Sequence, residues 1–188
     1  MSYANLNLLY DCEFSYLPAT DGTEIRNLDG WQVNNATLGS YNLRTKLENQ
    51  KVVMFSVVGT FRDPAKVIDF SNLVQELTGL GVDRVICHVV ADHFQTYAWA
   101  AHLNVPNIEF IADGNGYLAA RLGMLYDASP DDLGNRCWLY SSVVDNGVVS
   151  YWQQELGLPM DGPGNGNINV DAYDVTRPAN LINYLQQN

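Results

Sequence analysis

The chain has 188 residues and a formal net charge of −11, from 21 acidic against 10 basic side chains. That balance excludes a partner read through basic patches, so neither nucleic acid nor an anionic membrane surface fits. No window reaches the roughly 18 apolar residues of a membrane span, and the opening MSYANLNLLYDCEF lacks the basic and apolar regions of a secretory signal.

A single domain over residues 1–188 fits this length, on a scale of about 100–200 residues per domain. The cysteines Cys12, Cys87 and Cys137 are odd in number, widely spaced and without a C-x-x-C pair. They indicate neither a zinc ribbon nor a disulfide framework, and a reducing compartment suits them best. The expected location is the cytoplasm or a soluble cellular or viral assembly.

Residues 1–50 are polar and irregular, with Gly22, Gly30 and Gly39 as breaks and LNLLY as a short strand candidate. Residues 1–30 read as an irregular N-terminal extension, turns or a brief ribbon fit better than long helices, and Leu43 to Leu47 can form a helical turn. The stretch KVVMFSVVGT from Lys51 is a nearly continuous β-branched run, as a strand covered on both faces requires. Asp63 then offers an N-cap oxygen and Pro64 a fixed φ for the first helical position. The stripe Val67, Ile68, Phe70, Leu73, Val74 and Leu77 would lie on the sheet.

Gly79 and Gly81 stop that helix, and DRVICHVVA from Asp83 returns as a strand, giving a βαβ unit. Asp92 is an N-cap for HFQTYAWAAHL, with Phe94, Tyr97, Ala98, Ala101 and Leu103 at helical spacing. NIEFIA from Asn107 is a further strand, and GNGYLAARLGM a turn and short helix. The runs Cys137 to Asp145 and Val148 to Trp152 flank Asn146-Gly147, a strong hairpin signal. Residues 157–169 are a Gly- and Asn-rich loop, and Pro178 opens a last helix through Leu181, Ile182 and Leu185. This order implies an α/β fold, a mixed sheet with helices on both faces.

Four segments resemble the type-5 peroxiredoxins, including those fused to glutaredoxin, from about Trp31 to the end. They are VADHFQTYAW, ADGNGYLAARLGM, LGNRCWLYSSVVDNGVV and DAYDVTRPANLINYL, in the family's order. The resemblance implies the thioredoxin-like (peroxiredoxin) fold and a site formed by Pro-Gly-Ala-Phe-Thr-Pro-Thr-Cys, whose cysteine attacks peroxide. Here Val58, Gly59, Thr60 and Phe61 stand for Pro-Gly-Ala-Phe, Arg62 for the threonine and Ala65 for the cysteine. On the hairpin Arg136 matches the first arginine, and Leu139 replaces the catalytic one. A methyl group has no lone pair, so Ala65 cannot attack peroxide.

With Thr60, Arg62, Ala65 and Leu139 as degenerate positions, the expectation is a catalytically inactive protein with a structural or protein-interaction role. It would act as a dimer, like its relatives, or within a larger assembly, through its N-terminal part and the 157–169 loop. The alternative is a thiol-dependent oxidoreductase or peroxidase using a relocated Cys137, the cysteine nearest the old pocket in the family alignment. A third idea is small-anion binding in the vacated pocket. No cofactor or metal is called for, since His88, His93 and His102 lack ligand spacing and GNG at 114–116 is not a dinucleotide fingerprint.

The bland readings beside these are packing for Cys87 and Cys137, and a helix cap and a turn former for Asp92 and Asp113. Arg62 and Lys66, offset by Asp63, read as a solvated rim. Cys12, between Asp11 and Glu13, is a poor nucleophile.

Overall fold

The computed structural model describes residues 29–34, 37–129, 132–155 and 174–188. The LNLLY segment, Cys12 and the 157–169 loop lie outside the described residues. In chain order the elements are β1 (Asp29–Asn34), β2 (Thr37–Asn42), α1 (Leu43–Leu47), β3 (Lys51–Val57), α2 (Pro64–Gly79), β4 (Arg84–Val89) and α3 (His93–Leu103). They continue as β5 (Glu109–Ala112), α4 (Tyr117–Arg121), β6 (Leu125–Asp127), β7 (Asn135–Cys137), β8 (Tyr140–Asp145), β9 (Val148–Gln154) and α5 (Pro178–Leu185).

Seven strands form one sheet in the order β2-β1-β5-β4-β3-β8-β9. Strands β3, β4 and β5 run parallel, while β1 and β8 join antiparallel on either side. The β-branched run of β3 therefore sits between β4 and β8, buried from Val52 onward. Alternation splits it between two cores. Val53, Phe55 and Val57 face α2, α3 and α5, where Phe55 stacks on Phe70 with ring centroids 3.9 Å apart. Val52 and Met54 face Leu43 and Leu47 of α1 and Leu118 of α4.

The hairpin turn is as expected, since Asn146 and Gly147 have φ of 48° and 78°, the positive pair of a type I′ turn. Asp92 caps α3, its Oδ1 accepting from the N–H groups of Phe94 and Gln95, each at 2.9 Å. Pro178 is the first residue of α5.

Several expectations are corrected. Asp29 and Gly30 belong to a strand, so the extension does not run to residue 30. Cys137 does not begin the hairpin strand, because β7 pairs with β6 as a separate two-stranded ribbon and β8 starts at Tyr140. On α3 the buried residues are Thr96, Trp99 and Ala100, whereas Phe94, Tyr97, Ala98 and Ala101 are exposed. The helix is turned so that its one tryptophan fills the core edge-on against Phe110. On α2 Ile68 is exposed and Lys66 is buried, because Lys66 finds polar partners inside.

These assignments separate two phenylalanines. Phe70→Ala is expected to cost about 3–5 kcal/mol, as for a large buried ring, and Phe94→Ala to stay within about 0.5 kcal/mol, as for a surface change. Urea unfolding of both variants checks the two magnitudes.

Candidate functional site

The loop leaving β3 holds the positions that the resemblance singled out. Asp63 does not cap α2 with its side chain. Its Oδ2 instead accepts from the Val58 N–H at 2.8 Å, which draws the end of β3 towards the helix start. Around that bracket Thr60 is half-buried, Arg62 and Ala65 are exposed, and Leu139 is buried against Val58, Tyr126 and Ala128. The first turn of α2 presents a methyl group at Ala65, the position that the resemblance aligns with the family's cysteine.

Lys66 is no part of a solvated rim. Its ammonium donates to Thr176 Oγ1 at 2.9 Å and to the Tyr140 carbonyl at 3.3 Å. Thr176 in turn donates its hydroxyl and its N–H to Glu155 Oε1, at 2.7 and 2.9 Å. This buried chain ties α2 to the end of β9 and to the residues that open α5. Burial brings the Lys66 pKa down to about 8, against the opposing pull of Asp63 and Glu155.

A second constellation lies where β4, β5 and β7 converge, and the sequence spacing did not reveal it. His88 on β4 is fully buried. Its Nε2 is 3.1 Å from Asp113 Oδ2 and its Nδ1 is 3.0 Å from the Tyr140 hydroxyl. Cys137 Sγ stands 3.8 Å from the same Nδ1. Asp113 directly follows β5 by one residue, and its Oδ2 also accepts the Ala119 N–H of α4 at 2.9 Å. It is therefore more than a turn former, whereas Asp92 is a cap as expected. His93 and His102 stand apart on α3.

Burial alone would push the His88 pKa down. The negative charge of Cys137, then the hydrogen bond to Asp113, outweigh it and raise the group to about 10. The arrangement follows the nucleophile, base and orienting carboxylate pattern of activated thiols. As a thiol, Cys137 donates to the Trp138 carbonyl at 3.4 Å. As a thiolate it accepts from His88 Nδ1–H, while Asp113 fixes the ring through Nε2.

Position within the ribbon decides what else Cys137 can meet. Leu125 and Cys137 are paired across β6 and β7 and face the core beneath α4. Successive side chains alternate, so Arg136 and Tyr126 point the other way, towards the loop after β3. Cys137 is thus on the side of the ribbon away from the loop after β3. Cys87 precedes His88 on β4 and lies in the opposite core. Both cysteines are free and buried, and burial raises the Cys87 thiol well above its ordinary range. No group of three or more His, Cys, Asp or Glu among the described residues could hold a metal ion, and no helix among them is long and apolar enough to cross a membrane.

A mixed sheet with helices on both faces and a proline-opened helix after β3 define a thioredoxin-like fold. The chain belongs to the Redoxin family, whose model matches residues 19–159. It is similar to a peroxiredoxin of Rhizobium etli, 31% identical over 140 residues that cover 73% of this chain and 75% of that protein. A hybrid peroxiredoxin of Haemophilus influenzae is 30% identical over 141 residues, covering 73% of this chain and 54% of its own. Among solved structures, the Plasmodium falciparum antioxidant protein, a 1-Cys peroxiredoxin, superposes with a TM-score of 0.78 at 22% identity, over 90% of this chain and all of that one (100%). These findings correct the expectation of a catalytically inactive scaffold, because the matched relatives are peroxiredoxins and the chain carries a cysteine of its own beside an imidazole.

Two outcomes follow. In NMR titrations the His88 ring is expected to remain charged past pH 8, and in Cys137→Ala, which removes its main negative neighbour, to lose its proton at lower pH. For Lys66 the folded pKa is below the unfolded 10.5, so the folded state binds fewer protons between pH 8 and 10.5. Its contribution to stability therefore rises with pH across that window and is lost as pH falls through 8. Denaturation curves of the wild type against Lys66→Met should diverge upward there.

Proposed function

We propose that this chain is a thiol-dependent peroxidase whose nucleophile is Cys137. The observation that carries the reading is the contact between Cys137 Sγ and His88 Nδ1 at 3.8 Å, with Asp113 3.1 Å from the far ring nitrogen. Support also comes from the naming of the relatives as peroxiredoxins.

In the resting pair the Cys137 proton already sits on His88, and the thiolate attacks one oxygen of a hydroperoxide. The S–O bond forms as the O–O bond breaks, sulfur gives up two electrons, and the departing hydroxide or alkoxide takes a proton from the imidazolium. The sulfenic acid is then reduced by an external thiol, which forms a mixed disulfide and water before a second thiol releases Cys137. Cys87 cannot resolve it, being across the sheet. Among the described residues no other cysteine stands beside it, and the reading takes the reductant to be a small thiol or a partner dithiol protein.

Asp113 acts as a positioning residue, since it touches His88 and not the reacting sulfur. Cys137 has no exposed surface, so peroxide reaches it when the ribbon β6–β7 opens. That ribbon is only three residue pairs long and lies outside the main sheet, the kind of element that opens locally well below global unfolding.

Peroxide consumption with a thiol reductant tests the reading. Cys137→Ser is expected to fall to the background of free thiol, Cys87→Ser to keep its turnover, and His88→Ala to lose about 10²–10⁴-fold, as for a missing general base. Equal activity in Cys137→Ser and the wild type would remove Cys137 from the reaction.

A further inference from the structure

The face of the ribbon opposite Cys137 carries a separate cluster. Tyr126 and Arg136 are directly paired across β6 and β7, so their side chains stand together on one side. Tyr126 packs on Val58 and Leu139 and meets the Trp138 ring edge-on at 5.4 Å. It is 1% exposed, yet its hydroxyl has no hydrogen-bond partner. A buried donor left alone in this way points to a partner that the polypeptide does not supply.

Arg136 lies over Gly59. A Cβ at that glycine would come within 3.3 Å of Arg136 Nε, so the bare backbone is what lets the guanidinium approach the loop. One of its nitrogens donates to the Asn135 carbonyl at 2.7 Å. Arg62 closes the same turn, its N–H donating to the Gly59 carbonyl at 3.4 Å. The three groups also sense one another. Burial pushes the Tyr126 phenol up, with Cys137 and Asp63 adding to it and Arg62 and Arg136 pulling it back, and burial pushes Arg136 down against the pull of Tyr126, with repulsion from Arg62 adding to it.

In a chain with 21 acidic side chains, two guanidiniums that feel each other's charge would be expected to attract a carboxylate. Among the described residues neither forms an ion pair with one. Asp63 is the acid at this corner, and its Oδ2 is engaged by the Val58 N–H. The positive end of the α2 dipole lies at this corner.

We infer that Arg62, Arg136 and the Tyr126 hydroxyl, at the N-terminus of α2, form a binding site for a small oxyanion, a carboxylate or phosphate group. Arg62, Arg136 and the Tyr126 hydroxyl are all donors, and the guanidinium fork suits either geometry. The site goes beyond the Cys137 reading and stands independently of it, since the two lie on opposite faces of the ribbon.

Calorimetric titration with acetate, phosphate and sulfate at constant ionic strength in chloride tests it. Saturable binding of at least one oxyanion is expected. It should weaken at least tenfold in Arg62→Gln and in Arg136→Gln, and several-fold in Tyr126→Phe. Without anion, Tyr126→Phe should unfold at the wild-type temperature or above, because it removes an unsatisfied hydroxyl. Acetate against phosphate separates a planar from a tetrahedral ligand. No saturable response beyond chloride, or undiminished affinity in the double Arg62→Gln/Arg136→Gln variant, would overturn the inference. Should Arg136→Gln fail to fold, the exposed Arg62→Gln decides alone.

Discussion

The structure depends on the satisfaction of one buried imidazole. His88 sits in the middle strand of the parallel set with no exposed surface, and an unpaired ring there would carry the full cost of desolvation. Its two nitrogens are met from three different places: Asp113 after β5, Tyr140 at the start of β8, and Cys137 at the end of β7. None of those residues is near another in the chain except the last two. The polar group thus fixes the relative placement of β5, β7 and β8 more narrowly than apolar packing would, since a hydrogen bond tolerates less displacement than a methyl contact.

The corner that carries Cys137 is held by one hydroxyl. Ser56 on β3 donates to the Trp138 carbonyl at 2.6 Å and accepts the Tyr140 N–H at 2.8 Å. It stands where the ladder between β3 and β8 runs out and the chain turns into the ribbon. Lys66 secures the same strand start from the other face through the Tyr140 carbonyl. The thiol, the imidazole and the buried ammonium are therefore three parts of one polar interior around the first residue of β8. The two cores on either side of the sheet meet at this point.

Much of the fold was legible from local chemistry. The β-branched run of β3, the Asp92 cap, the Asn146-Gly147 turn and Pro178 each act through nearest neighbours, and a sequence shows neighbours directly. Long-range choices were not legible. The spacing on α3 favoured Phe94 and Tyr97 as the inner face, and the fold chose Thr96, Trp99 and Ala100 because one tryptophan fills the space beside Phe110 better than two exposed rings could. Lys66 read as a surface charge until Thr176, 110 residues away, supplied its acceptor. The resemblance drew the eye to Ala65 and Leu139, but the thiol, ring and carboxylate lie 25 and 49 residues apart and come together only through the strand order. A histidine inside VICHVV, and an aspartate just past NIEFIA, were the available signals, since a polar residue in a fully apolar strand needs a partner beyond its end.

Asp113 spends one oxygen on two tasks, accepting from His88 and from the first turns of α4 through Ala119. The proton affinity of the ring and the docking of that short helix are consequently linked quantities, each altering the other by the same free energy. Whatever tightens α4 against the carboxylate competes for its lone pairs and weakens its hold on the imidazolium. A perturbation of the surface turn at 114–116 would thereby be felt as a change of basicity at the centre of the sheet, without any displacement of the sulfur.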